Sequence, residues 1–307
     1  MRLYNIVFLA VVLSFSMMSC GNLNGKSDTH HDIPMKNTID TVKVDYKVAA
    51  IKESTKETSP AFIKKRLEEL IGHYLKSVFI KKNLKYPPCY LLLRVFKLEK
   101  ECEIWVKEAK NDSIYLVLTL PICAVDDEPG PKLKQGDGKT PEGFYNCSEL
   151  YGSNLWFMWI RLNPDEIENS GKCNVGSSFR LWLDYPNLND VGRTEKYIGL
   201  KKDPGGAICV HGNCVTAGCI SYQNINFLPV FLLAKYHDQQ KNGPLQIHVF
   251  PFRFTEKLKN EYIAKNRYIP KDDLLKFWNN LEEGYRFVNE KRKPLNFNIS
   301  KSRYSFR

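Results

Sequence analysis

Residues 205–224, GGAICVHGNCVTAGCISYQN, place one histidine among three cysteines in a short span. The AICVHG part alternates as a β-strand does, so Ala207, Cys209 and His211 share one face and His211 ends the strand. The loop that follows turns back and lets Cys219 approach the imidazole. A thiol attacks a carbonyl only as the thiolate and therefore needs a base or a lowered pKa. The stretch predicts such a pair at the end of a buried strand.

Zinc binding is the competing chemistry for the same residues. Cys209, His211, Cys214 and Cys219 are four potential zinc ligands. Zinc sites usually combine tight cysteine pairs, about two to four residues apart, and no second pair of this kind occurs elsewhere in the sequence. We therefore expect neither a metal nor another cofactor.

A disulfide is the second alternative. Of the nine cysteines, setting aside Cys20 and Cys219 leaves seven, an odd number, so at least one further thiol is free. Cys123 and Cys209 lie in apolar strands and are expected to be small buried hydrophobic residues. Cys214 is near enough in sequence to bond with Cys219, which would switch a thiol enzyme off. The sequence leaves this pairing open.

Length and charge restrict the class of partner. The 307 residues allow one large domain with appendages, and the formal net charge of +11 suits an acidic partner such as a polyanionic wall or membrane surface. The basic residues are scattered, and no groove-reading or base-stacking motif is found, so nucleic acid is not expected.

The N-terminus has the pattern of a secretory leader. Met1 and Arg2 precede an apolar run over 6–15, and the following MMSCGN is similar to a bacterial lipobox, in which cleavage leaves Cys20 as a lipidated N-terminus. An ordinary signal peptide is the alternative. We expect a lipoprotein signal peptide over 1–19, a lipid at Cys20 that anchors the protein to a membrane, and a periplasmic protein attached to the outer membrane.

The remaining chain divides into four expected segments. Residues 20–59 are polar and lack apolar periodicity, which predicts a disordered tether. A helical segment over 60–88 contains a helix at 61–82, a β-rich core spans 89–253, and helices at 255–266 and 271–292 fall within 254–307. A further helix is predicted at 226–242, with Pro229 in its first turn. Strands are predicted at 89–99, 102–109, 113–125, 143–147, 155–163, 178–185, 207–212 and 245–250, mainly antiparallel.

Several ordered motifs resemble the L,D-transpeptidase catalytic domain family, with the YkuD-type fold, and within it the YafK-like branch. The family joins a His-Gly at a strand end to a later Ser/Thr-x-Gly-Cys, which here are His211-Gly212 and Thr216-x-Gly218-Cys219. The other matching stretches are QGDGKTPEGFY at 135–145, LDYPNLND at 183–190, VTAGCIS at 215–221 and FWNNLEEGYRFVNEKRKP at 277–294.

The resemblance implies a fold and a set of catalytic roles. The fold is mainly β with flanking helices, an α+β class with a sandwich- or barrel-like catalytic core. Cys219 would be the nucleophile, His211 the general base, and the carbonyl of Gly212 the group that orients the imidazole ring. The amides of Gly218 and Cys219 would form the oxyanion hole, and Thr216 would support the loop.

The substrate-contacting residues are less sharply indicated. Two departures from the common family pattern are Ala217, where a second histidine is usual, and Ser221, where an arginine is usual; both weaken the inference of a crosslinking reaction. The YafK-like branch shares the compact motif. The candidate substrate contacts are Lys139 and Glu142, which could instead pair with each other on the surface, together with Tyr185, Asn187, Asp190 and Ser221.

The implied activity is acyl transfer on peptidoglycan stem peptides. The thiolate would attack a carbonyl next to an L-centre and form a thioester. An amine acceptor would give transpeptidation, and water would give L,D-carboxypeptidase action or amidase release of a peptidoglycan-linked protein. A non-catalytic wall-binding lipoprotein is the alternative from another class, and the intact His211 and Cys219 argue against it.

Overall fold

The structure is a computed structural model that describes residues 40, 60–108, 113–152, 179–241 and 243–307. The expected signal peptide, Cys20, the tether apart from Asp40, and the predicted strand at 155–163 lie outside these residues. Within the described ranges, no helix combines the length and the apolar character needed to cross a membrane.

The described residues form five helices and ten strands. The helices are α1 Pro60–Lys81, α2 Leu188–Tyr197, α3 Asn224–Gln240, α4 Glu256–Lys265 and α5 Lys271–Lys291. The strands are β1 Tyr90–Phe96, β2 Glu101–Lys107, β3 Ile114–Pro121, β4 Gly143–Gly152, β5 Phe179–Leu183, β6 Cys209–His211, β7 Ile220–Ser221, β8 Gln246–Phe250, β9 Phe297–Ser300 and β10 Arg303–Phe306.

Eight of the strands form one sheet in the order β3-β2-β1-β8-β4-β5-β6-β7. Strands β1, β2 and β3 are consecutive in the chain, and each neighbouring pair of them is antiparallel. The sheet is nevertheless mixed, because β8 runs parallel to β1 and β7 runs parallel to β6. The chain reaches β8 through helix α3, and a crossover of this length permits a parallel neighbour. The other five neighbouring pairs of the sheet are antiparallel, so the expectation of a mainly antiparallel core is confirmed.

The sheet is covered by apolar side chains on both faces. Along β1 the side chains alternate between two clusters, so that Leu91 and Leu93 join one cluster while Leu92 joins the other. The first cluster includes Phe79 from α1, and the second includes Trp278 from α5. Both faces of β1 are therefore buried, and the predicted class, mainly β with flanking helices, is confirmed.

The C-terminal region differs from the sequence expectation in its last residues. Helices α4 and α5 lie where they were predicted, but the chain then forms an antiparallel hairpin of β9 and β10 instead of further helix. Tyr304 of this hairpin is buried beside Phe144 of β4. Helix α3 begins at Asn224, which puts Pro229 in the second turn and not in the first.

Candidate active site

Strand β6 carries the histidine of the motif. It lies between β5 and β7, and His211 pairs in register with Arg180 of β5 and with Ser221 of β7. All three residues of β6 are buried, including His211 at its end. Cys209 and His211 come together while Val210 joins the first apolar cluster, so the predicted alternation holds within β6. Ala207 lies before the strand with a φ of 58°, and the imidazole lies at the point where the strand ends in a loop.

The loop after His211 returns the chain to the same place. Asn213 and Cys214 have positive φ values of 82° and 47°, which turn the backbone sharply. The Tyr222 amide then donates to the His211 carbonyl at 2.8 Å, which closes the loop. The tight return brings Cys219, the residue just before β7, alongside the end of β6.

Three potentially reactive side chains meet there. The Sγ atoms of Cys209 and Cys219 lie 3.7 Å apart, and both lie within 4.8 Å of a ring nitrogen of His211. Cys219 is half-buried, whereas Cys209 is only 3% exposed. The sequence predicted the roles of His211 and Cys219, but Cys209 was expected to be only a small buried hydrophobic residue. The strand alternation had already placed Cys209 on the same face as His211.

The imidazole ring is held by backbone. Nδ1 of His211 hydrogen-bonds the carbonyl oxygen of Gly212, the role expected for Gly212. When Nδ1 carries the proton that it donates there, Nε2 has the free lone pair. Ser221 is completely buried, and its hydroxyl donates to the same carbonyl at 3.1 Å. Ser221 therefore affects the orientation of His211 through the Gly212 carbonyl that both side chains share. The expectation that Ser221 contacts substrate is corrected, because its side chain is completely buried.

The surroundings favour ionisation of Cys219. The hydrogen bond from Cys209 lowers the pKa of the Cys219 thiol, and His211 adds a second hydrogen bond and a favourable charge, while burial opposes both. The same contact and burial raise the pKa of the Cys209 thiol. One of the two sulfurs can thus carry a negative charge while the other keeps its proton.

Gly218 is required by close packing. Its φ of +119° is disfavoured for other residues, and a Cβ built on it would lie 2.7 Å from the Lys139 carbonyl oxygen. The same Cβ would lie 3.2 Å from Cδ1 of Ile208. The segment 135–145 therefore supports the cysteine loop through its backbone.

Thr216 ties the ends of the cysteine turn together. Its hydroxyl accepts from the Gly218 amide at 3.0 Å and donates to the Cys219 carbonyl at 2.6 Å. These two hydrogen bonds provide the loop support that was expected of Thr216. Because the Gly218 amide is engaged by Thr216, the Cys219 amide is the remaining candidate of the two for an oxyanion hole.

A disulfide fixes the opposite side of the loop. Cys214 is bonded to Cys123, with 5.3 Å between their Cα atoms, and not to Cys219. The expectation that Cys123 is a buried free thiol is therefore wrong. The Cys123 amide also donates to the Ser221 carbonyl at 2.9 Å, so the bond joins the loop to the chain beside β7. A sequence separation of 91 residues gave no signal for this pairing.

The disulfide also changes the set of possible metal ligands. Cys214 cannot be a thiolate ligand while it is bonded, so the four-residue zinc set suggested by the sequence is reduced to Cys209, His211 and Cys219. Among the described residues, these three form the cluster of histidine, cysteine and acidic side chains close enough to hold a metal ion.

Glu142 does not face solvent. Its side chain is completely buried and accepts from the indole of Trp278 at 2.9 Å, from the Gly130 amide at 2.6 Å and from Lys97 at 3.1 Å. A carboxylate that is buried, paired with a cation and fully hydrogen-bonded serves the folded structure and is not available to bind substrate. The expectation that Glu142 contacts substrate or pairs with Lys139 on the surface is corrected.

Lys139 forms ion pairs near the surface, which was the predicted alternative to a substrate contact, but its partners are not the predicted Glu142. Its ammonium group contacts Glu128 and lies 3.5 Å from Asp126. Its backbone carbonyl, and not its side chain, is the part that approaches the cysteine loop.

The residues Asn187 and Asp190, which precede β6 in the chain, form the N-terminus of a helix. Asn187 is the N-cap of α2 and accepts from the amides of Asn189 and Asp190, and Asp190 accepts in return from the Asn187 amide. Asp190 is fully buried against Arg193 and the hydroxyl of Tyr145. Neither Asn187 nor Asp190 is placed to contact substrate, which corrects that expectation. The Asn-x-x-Asp spacing was a capping signal from which α2 could have been predicted.

Tyr185 lies next to this helix start. Its ring is buried, and its hydroxyl donates to the Pro204 carbonyl at 2.8 Å. Pro204 precedes the stretch that leads into β6, so Tyr185 anchors the chain just before that strand.

Comparison with known proteins supports the motif match. No family model matches the chain. The protein named "Putative L,D-transpeptidase YafK" from Escherichia coli strain K12 is 27% identical over 224 residues, which cover 73% of this chain and 76% of the relative. The protein of the same name from Escherichia coli O157:H7 gives the same values. The resemblance to the YafK-like branch that the motifs indicated is confirmed, and it indicates an enzyme.

Two solved structures are similar at a low level. The helical cell shape determining protein Pgp2 from Campylobacter jejuni has a TM-score of 0.33 and 15% identity, and the match covers 75% of this chain and 81% of that chain. Bd1075 from Bdellovibrio bacteriovorus has a TM-score of 0.31 and 17% identity, with 68% of this chain and 62% of that chain covered.

Proposed function

We propose that this protein is a cysteine-dependent enzyme that modifies peptidoglycan stem peptides through a thioester acyl-enzyme, as an L,D-transpeptidase does. The observation that carries the proposal is the placement of the Cys219 sulfur within 4.8 Å of a ring nitrogen of His211, a residue whose Nδ1 hydrogen-bonds the Gly212 carbonyl. The sequence similarity to YafK supports the choice of reaction class.

Acylation begins with a proton transfer. Nε2 of His211 takes the thiol proton of Cys219, and the resulting thiolate attacks the carbonyl carbon of the stem peptide. The negative charge passes to the carbonyl oxygen of the tetrahedral intermediate, where the Cys219 amide can donate a hydrogen bond. When the C–N bond breaks, the imidazolium returns its proton to the leaving amine, and the acyl group remains on sulfur as a thioester.

Deacylation reuses the same histidine. The neutral imidazole accepts a proton from the incoming nucleophile, which attacks the thioester carbonyl and releases the Cys219 sulfur. An amine acceptor forms a new peptide bond, and water leaves a shortened stem peptide. The half-buried position of Cys219 leaves its sulfur reachable from solvent.

The fixed ring orientation is the protein's main contribution to this chemistry. The Gly212 carbonyl keeps Nδ1 as the protonated nitrogen, which leaves Nε2 as the base. Aspartate or asparagine plays this part in other cysteine and serine enzymes, and a backbone oxygen does the same without adding a charge. The imidazolium formed during acylation is stabilised by the same oxygen.

The decisive experiment is digestion of purified peptidoglycan sacculi followed by analysis of the released muropeptides. Wild-type protein is compared with Cys219→Ala, with circular dichroism to verify that both are folded. New crosslinks made by the wild type alone identify a transpeptidase, and shortened stem peptides identify a carboxypeptidase. Release of a peptidoglycan-linked protein identifies an amidase. Identical muropeptide profiles for wild type, variant and buffer would refute the enzymatic proposal and favour a wall-binding protein.

The proposed location is the periplasm, with a lipid on Cys20 as the membrane anchor. The support is the MMSCGN motif after an apolar run. Cells given labelled fatty acid should incorporate the label into the wild type and not into Cys20→Ser. Equal labelling of both proteins would refute the anchor and leave a plain secreted enzyme.

A further inference from the structure

Cys209 lies against the proposed nucleophile, and the mechanism proposed above gives it no step in the reaction. It begins β6 two residues before His211, so the two side chains share a face of the sheet. Its Sγ lies 3.7 Å from that of Cys219, within the range of a hydrogen bond between sulfur atoms. The side chain is buried and therefore fixed in position by its surroundings.

We propose that Cys209 is a positioning residue that donates its S–H to the thiolate of Cys219 and holds that sulfur in place for attack. The proposal rests on the proposed role of Cys219 as the nucleophile. The proposal adds a second thiol to the reaction. Cys219 reacts with the substrate, and Cys209 keeps its proton and acts as a hydrogen-bond donor.

The environment decides which sulfur donates. Cys209 is 3% exposed and lies in an apolar strand, where a thiolate would lose its solvation. Cys219 is half-buried and lies beside His211, which becomes a cation when it accepts the thiol proton. The negative charge therefore resides on Cys219, and Cys209 remains a neutral donor.

The other neighbour of the Cys219 sulfur creates the need for such a donor. The thiol of Cys219 lies 3.6 Å from the carbonyl oxygen of Ala207 and donates to it. Once the proton has moved to His211, this carbonyl presents its negative end to the thiolate and repels it. The S–H of Cys209, two residues further along the chain at the start of β6, supplies a compensating attraction.

Charged groups on the surrounding elements act on the same pair. Arg180 of β5 is paired in register with His211 and acts electrostatically on Cys209. The segment beneath Gly218 carries Lys139, which is neutralised by Asp126 and Glu128. None of these groups is altered by a substitution at Cys209, so their contributions remain the same in every variant compared.

The test is the pH dependence of alkylation of Cys219 by iodoacetamide, followed by peptide mapping of the 219-containing peptide. Wild type, Cys209→Ala and Cys209→Ser are compared. Loss of one hydrogen bond to a charged group corresponds to roughly one pKa unit. We therefore expect the midpoint for Cys209→Ala to rise by about that much, and Cys209→Ser, which keeps a donor, to restore most of the shift.

The rate at the alkaline plateau separates this role from a loss of packing. A thiolate of higher pKa is intrinsically more nucleophilic, so the plateau rate of Cys209→Ala should rise, by about threefold for one pKa unit. A merely structural defect would lower the plateau rate and leave the midpoint unchanged. Cys89→Ala, which removes another buried thiol, serves as the matched control and should leave both quantities unchanged.

Two further outcomes would overturn the proposal. Identical midpoints for wild type and Cys209→Ala would show that the second thiol does not act on the first. A Cys209–Cys219 disulfide in wild type purified with reductant would show that the two sulfurs are bonded instead. Alkylation by iodoacetamide requires no peptidoglycan, so these results are independent of the sacculus assay. Failure of the proposed function would appear in the sacculus assay, and failure of the Cys209 proposal would appear in the alkylation assay.

Discussion

The side chains of His211 and Ser221 donate to one oxygen atom, the carbonyl oxygen of Gly212. The two residues are neighbours in the parallel pair of β6 and β7, and their shared acceptor lies at the first residue of the loop between them. The orientation of the imidazole therefore depends on the registration of two short strands, each fixed by the return of the chain through residues 212–219.

Ser221→Ala tests this shared acceptor. Removal of the hydroxyl deletes one hydrogen bond to Gly212, worth about 1 kcal/mol, and leaves the carbonyl freer to move. We expect kcat to fall by up to about tenfold with KM nearly unchanged, because the loss falls on orientation of the base and not on substrate binding. Steady-state kinetics measures this split. A higher KM at unchanged kcat would contradict this role and would indicate that Ser221 contacts substrate.

Gly218→Ala should disable the cysteine loop. The added methyl group would meet the backbone oxygen of Lys139 at 2.7 Å, and the φ of +119° would be strained in addition. Backbone cannot yield as a flexible side chain can, so we expect activity to fall at least about a hundredfold from misplacement of Cys219. Ala217→Gly, at the neighbouring exposed position, is the control and should retain activity. Full activity of Gly218→Ala would contradict the close packing of this loop on residues 135–145.

The Cys123–Cys214 disulfide should stabilise the loop that carries the active residues. Its loss is expected to cost about 2–5 kcal/mol of unfolding free energy. Cys123→Ala, Cys214→Ala and the double variant should show the same loss in thermal or denaturant unfolding, since each removes the same bond. Additive losses in the double variant would contradict the pairing. Full stability of Cys214→Ala would contradict it as well.

Glu142 and Lys139 should differ sharply although they lie three positions apart. Glu142→Gln removes the fully buried partner of Lys97 and leaves that ammonium group with Asp126 alone, at 3.2 Å, so we expect a loss of up to about 3–5 kcal/mol in denaturant unfolding. Lys139→Gln breaks a more exposed pair, and we expect a change of at most about 1 kcal/mol. Equal stability of the two variants would contradict the structural role of Glu142.

The sequence predicted the parts of this protein that depend on local pattern. Helix α1, helix α5 and the strand ending at His211 follow from apolar periodicity, and the placement of His211 and Cys219 together follows from a short loop between two pieces of strand. Helix α2 was missed although Asn187 and Asp190 have the spacing of a capping box.

The parts that were not predicted depend on contacts between distant residues. The partner of Cys214 is 91 residues away, and no local pattern distinguishes Cys123 from the other apolar-strand cysteines. Glu142 looked like a surface residue because its partners, Lys97 and Trp278, come from separate elements. The parallel pairing of β1 with β8 likewise requires knowledge of the crossover and not of either strand alone.

The most direct test of the central claim is to locate the acyl group during turnover. Protein is mixed with a disaccharide tetrapeptide in the presence of a metal chelator, quenched in acid, and analysed by intact mass and by peptide mapping. We predict one acyl adduct on Cys219 that is released by neutral hydroxylamine, as a thioester is, and no adduct or turnover with Cys219→Ala. Turnover retained by folded Cys219→Ala, an adduct on another residue, or activity that requires zinc would contradict the account.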